Sequence, residues 1–132
     1  MRKQKPQIHF YKKVVSIPIY CGRFIMVFSN DKEKIGNLIP CPKSDLDHIY
    51  AFTYCCFMYQ GHESFSVVFN FWNPMARMSI GTITHEVNHA ANRLLASRGA
   101  EPDFLNDEAE SYLKGWMADQ VESFMVSCGI MK

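Results

Sequence analysis

A chain of 132 residues and 15.3 kDa can bury one hydrophobic core but not two, so it reads as a single domain over residues 1–132. Its apolar fraction of 48% and charged fraction of 20% exclude a disordered or low-complexity chain. A net charge of +1 supplies no overall field to draw in nucleic acid or an anionic membrane, and no run approaches the roughly 18 apolar residues of a membrane span.

The charge is unevenly placed. Six basic residues and no acid lie between Met1 and Asn30, whereas Glu101 to Glu122 holds seven acids against Lys114 alone. The basic start reads as a solvated tail and strand face, with a nucleic-acid-binding accessory role as the rival reading. No apolar run follows it, because Lys12 and Lys13 interrupt the first candidate, so no signal peptide is expected. The five cysteines, an odd set with no CxxC spacing, point to reduced, buried thiols in a cytoplasmic protein. Cys55 and Cys56 adjoin in a strand-like run, which should turn their side chains to opposite faces.

In chain order, Ile8 to Val15 and Ile17 to Phe28 are rich in β-branched and aromatic residues and read as strands, with a break or an edge position at Pro18. The polar stretch Ser29 to Asn37 has room for a short helical turn, and Pro40 and Pro42 mark a loop. Tyr50 to Tyr59 and Ser64 to Phe71 form a predicted hairpin around Gln60, Gly61, His62 and Glu63. Asn73 and Pro74 end the sheet. Helical spacing then predicts a helix from Ser79 to Ser97, closed at Arg98 and Gly99. A linker with Pro102 leads to a second helix with Asn106 as its N-cap. Its apolar stripe would comprise Ala109, Tyr112, Leu113, Trp116, Met117, Val121, Phe124, Met125 and Cys128.

The chemistry concentrates in Thr84-His85-Glu86-Val87-Asn88-His89. On a helix, residues four apart lie one turn above each other, so His85 and His89 can both hold one zinc ion. Glu86 is offset by about 100° from His85, beside the ion, where it can take a proton from a zinc-activated water and pass it to a leaving amine. Chance alone would produce this spacing in about one chain in a hundred of such composition. Here the context is helical: Ile83, Val87, Ala90, Ala91 and Leu94 fill one side, and His85, Glu86, Asn88, His89, Asn92 and Arg93 the other.

A hydrolytic zinc site needs a third protein ligand and an open position. No histidine follows His89, so the HExxHxxGxxH pattern is absent and the downstream acids remain: Glu101, Asp103, Asp107, Glu108, Glu110, Asp119 and Glu122. Glu108 and Glu110 both flank the stripe of the second helix, about twenty residues beyond His89, a separation that a helical hairpin can fold back. Helix geometry does not choose between them, although Glu110 can alternatively pair with Lys114 at i,i+4.

Asp107-Glu108-Ala109-Glu110-Ser111-Tyr112, an acidic pair followed by small residues and a tyrosine downstream of HExxH, resembles the small single-domain zincins of the gluzincin type. These are found in phage and prophage genomes and are distantly akin to ImmA/IrrE-type peptidases. The resemblance covers about Tyr50 to Cys128 and implies Glu108 as the third zinc ligand. It also implies a zincin-like α+β fold: a small, mostly antiparallel twisted sheet, the HExxH helix packed on it, and a long C-terminal helix. An edge strand beside the metal helix would pair with an extended peptide.

His9, His48 and His62 lack ligand spacing and are assigned no role. Tyr112 reads as core, with an oxyanion donor as the alternative. Phe65, Phe69, Phe71 and Trp72 fit either a buried hairpin or a substrate platform. The expected protein is a cytoplasmic zinc metallopeptidase with Glu86 as general base and a peptide or protein substrate. A non-catalytic zincin-like scaffold that binds another protein is the alternative.

Overall fold

Two apolar-rich runs, Phe24 to Phe28 and Phe65 to Phe69, dominate the sheet, and both become central strands. β1 (Phe10–Ser16), β2 (Arg23–Ser29), β3 (Ala51–Tyr59) and β4 (His62–Asn70) form one sheet in the order β1-β2-β4-β3. The structure is a computed structural model and describes residues 9–40, 51–70 and 79–129. β1 pairs antiparallel with β2 and β3 antiparallel with β4, while β2 and β4 run parallel with Met26 opposite Val67. A strand covered on both faces has no solvent side for polar residues, so β2 and β4 are buried almost throughout. β1, at an edge, exposes Lys12 and Lys13.

The sheet has a core on each face. Phe24, Met26 and Phe28 of β2 and Phe65, Val67 and Phe69 of β4 point toward α2 (Ile80–Ser97) and α3 (Glu108–Ser127). Ile25, Val27 and Val68 point the other way, where Ile35 and Ile39 of and just after α1 (Lys32–Leu38) cover them. α1 is the helical turn expected after Ser29; Asp31 caps it by accepting from the Glu33 and Lys34 N–H groups. The buried hydroxyls of Ser29, Ser64 and Ser66 donate to the carbonyls of His9, His62 and Tyr54, and no buried side-chain polar atom among the described residues lacks a partner.

Several expectations change. The run Ile17 to Phe28 is not one strand: Ile17 to Gly22 make a turn, closed by the Ile17 N–H donating to the Gly22 carbonyl at 3.0 Å. Pro18 breaks the ladder, and a Cβ on Gly22, whose φ is +94°, would lie 3.1 Å from the Glu63 carbonyl oxygen. The hairpin loop shrinks to Gln60 and Gly61, both with positive φ, as a two-residue primed turn requires. Only two of the three strand pairings are antiparallel; the central parallel pair has no signature in the local pattern.

α3 begins one residue later than an Asn106 cap would allow, because Asp103 organises the linker by accepting from the Leu105 and Asn106 N–H groups. Its buried stripe is Leu113, Met117, Val121, Phe124 and Met125. Tyr112, expected in the core, is 75% exposed, and Ala109 is exposed too, since the first turn of α3 lies outside the core. Of the cysteines, expected to be buried, Cys21 and Cys56 are exposed and Cys55 and Cys128 half-buried; Cys41 lies outside the described residues. Phe71, Trp72 and His48 lie outside them as well, whereas Phe65 and Phe69 are fully buried. No helix among the described residues is long and apolar enough to cross a membrane.

Candidate metal centre

α2 starts at Ser79, whose hydroxyl accepts from the Thr82 N–H, and lays Ile83, Val87, Ala90, Ala91 and Leu94 against β3 and β4. With that arc buried, the 3.6-residue period turns His85 and His89 outward and leaves Glu86 at the boundary, facing β3. The two imidazoles meet edge to face with centroids 4.7 Å apart, and their Nε2 atoms are 3.1 Å apart. Two histidines on a tetrahedral zinc, with Zn–N near 2.0–2.1 Å, hold their nitrogens about 3.3–3.4 Å apart. The pair therefore fits an ion after a shift of a few tenths of an ångström. The same spacing suits a hydrogen bond between the two rings, one nitrogen donating and the other accepting.

Glu86 is only 6% exposed, more buried than a residue of the polar helix side should be. The Thr53 hydroxyl on β3 explains this: Oγ1 lies 2.7 Å from Glu86 Oε2 and 3.0 Å from the Glu86 carbonyl oxygen, able to donate to either. The other carboxylate oxygen, Oε1, faces His85 with 3.9 Å to its Nε2. One oxygen is thus anchored and the other turned toward the histidine pair. Local pattern could not reveal Thr53, which is 33 residues away in sequence.

β3 forms the opposite wall of a cleft of about 670 Å³ that Glu86, His89 and Arg93 line from the helix side. A bulge between Cys55 and Phe57 places Cys56 at φ 63°, and both Cys55 and Cys56 line this cleft instead of facing apart as regular alternation would have them. The bulge also reverses the parity of the strand, so that Phe52 and Tyr54 before it and Phe57 and Tyr59 after it all serve the same core. Burial pushes the Cys55 thiol up to about 12, with the neighbouring Cys56 adding to the effect.

Compared with known protein families, curated proteins and solved structures, the chain matches none.

The acids of α3 are placed apart from the histidines. Glu110 pairs with Lys114, and Glu108, the first residue of α3, is exposed and engaged in no hydrogen bond or ion pair among the described residues. No group of three His, Cys, Asp or Glu side chains converges there among the described residues. His9 is held at its backbone N–H by Asn30, and the exposed His62 lies beside Arg23; neither approaches the pair on α2.

Proposed function

We propose that the protein is a zinc-dependent peptidase in which His85, His89 and Glu108 hold the metal and Glu86 is the general base. The observation that carries this reading is the convergence of the two Nε2 atoms, 3.1 Å apart, beside a carboxylate anchored on one oxygen and free on the other. Zinc bound between these nitrogens would supply Lewis acidity, polarising a peptide carbonyl and bringing a water's pKa toward neutrality. Glu86 would keep Oε2 on the Thr53 hydroxyl and use Oε1 to orient the water, accept its proton and return that proton to the departing amine. β3, at the sheet edge, has no strand partner on one side among the described residues, and an extended substrate lying along the cleft would pair there.

Glu108 is favoured over Glu110 as the third ligand because its carboxylate is unengaged among the described residues while that of Glu110 already serves Lys114. Residues 101–109 are all exposed, and Asp107 makes no side-chain cap bond to the start of α3. A segment held by so few contacts rearranges at low cost, and metal binding would draw the first turn of α3 toward α2.

The test is metal content and turnover of full-length protein purified without a metal-affinity tag. About one zinc per chain is expected, lost in His85→Ala and His89→Ala, with Glu86→Gln retaining zinc but losing hydrolysis by orders of magnitude. Full zinc retention in both histidine variants would falsify the metal assignment. Zinc bound by the histidines, but with no peptide cleaved by the unsubstituted chain, would leave the protein-binding scaffold as the better description.

A further inference from the structure

Of the three arginines among the described residues, two are tied into the fold. Arg23 bonds Ser16 and His62, and Arg98 reaches Glu63 and two backbone carbonyls. Arg93 makes no hydrogen bond or ion pair among the described residues, although it sits one helical turn beyond His89 on the cleft side of α2. It faces Cys55 across the cleft, near enough to act electrostatically on that thiol. Its guanidinium therefore stands without a carboxylate partner among the described residues, on the wall of the cleft that Glu86 and His89 also line.

We infer that Arg93 selects an extended peptide segment carrying an internal Asp or Glu side chain, whose carboxylate it binds through its planar, two-pronged face. The inference rests on the peptidase reading for where the scissile bond lies. Arg93 is about 10 Å along the helix axis from Glu86 and about 6 Å from His89. An extended chain advances about 3.3 Å per residue, so the acidic residue falls about two or three positions from the bond held at Glu86 and His89.

The cleft does not end at Arg93. The same side chain also lines a second cavity, of about 770 Å³, between α2 and the start of α3, so a substrate has room to continue past it. Recognition of a C-terminal carboxylate would need a closed end at that point. Glu101, Asp103 and Asp107 line the second cavity, where Lys114 is already paired with Glu110, and they repel a further substrate acid there, which restricts the preference to one position.

Binding tests this apart from catalysis. The full-length chain carrying Glu86→Gln, which cannot turn substrate over, is titrated by fluorescence anisotropy at low salt. The probes are labelled octapeptides blocked at both ends, with one Glu, one Gln or one Lys moved along a neutral background, and a neutral octapeptide with a free C-terminus. Glu at one position should bind about fivefold tighter than Gln there, a preference that Arg93→Gln abolishes and added salt weakens. In Arg93→Glu, a Lys at that position should be preferred instead. Equal affinity for the Glu and Gln series, a preference that survives Arg93→Gln, or no binding of any probe would overturn the inference. An Arg93-dependent gain confined to the free C-terminus would overturn it too, in favour of a terminal carboxylate. Because neither zinc nor turnover is read, failure of the peptidase reading shows separately, as absent hydrolysis by the unsubstituted chain.

Discussion

Replacing Thr53 by Val keeps the shape of the side chain and deletes the hydroxyl that reaches Glu86 Oε2 at 2.7 Å. The Glu86 side chain is nearly buried, so water cannot replace the lost donor freely, and a hydrogen bond to a charged group contributes about 1.5–3 kcal/mol. Thr53→Val should therefore lower the unfolding free energy at neutral pH by about 2 kcal/mol, or about 5–10 °C in Tm for a chain of this length. Denaturant titration followed by circular dichroism measures the loss, and Thr53→Ser, which restores the donor, should recover most of it. In the peptidase reading Thr53 is a positioning residue, so Thr53→Val should also reduce kcat with little change in KM, and Thr53→Ser should rescue it. A stability change below about 0.5 kcal/mol in Thr53→Val would show that the hydroxyl does not hold the carboxylate, and the division of duties between its two oxygens would fall with it.

Zinc affinity measured by chelator competition at one pH should drop strongly in Glu108→Ala and little in Glu110→Ala, where an i,i+4 ion pair with Lys114 is the main loss; the reverse order would move the third ligand to Glu110. Arg98 joins the end of α2 to the Tyr20 and Cys21 carbonyls and to Glu63, so Arg98→Ala should lower stability by about 1–3 kcal/mol, and Arg98→Lys should not restore it, since one ammonium cannot span three acceptors. Thiol labelling of the native protein at pH 8 should modify Cys21 and Cys56 quickly and Cys55 slowly, because a thiol raised to about 12 holds almost no thiolate there; mass spectrometry of the labelled peptides would expose an error if Cys55 reacted first.

The sequence by itself determined the features that depend on near neighbours. The arc of Ile83, Val87, Ala90, Ala91 and Leu94 is buried as the helical period requires, and the same period places His85 and His89 one turn apart on the open side. The β3–β4 pairing followed from two β-rich runs separated by a glycine-containing turn, and α1 is the short helical turn expected within Ser29 to Asn37, though its Asp31 cap emerged only in the structure. Tertiary structure decided what periodicity cannot encode. A pattern gives the direction of a helix face but not where its partner ends, so Tyr112 falls on the apolar stripe of α3 yet lies beyond the reach of the core. The parallel join of β2 to β4 depends on which strands find each other after long excursions of the chain. The bulge at Cys56 requires a positive φ at a residue that does not favour one, and it is held by the burial of Phe57 on the face opposite to that of Cys55. The Thr53 contact to Glu86 and the place of Arg93 in the cleft arise from how α2 lies across an edge strand, a matter of packing between segments more than thirty residues apart.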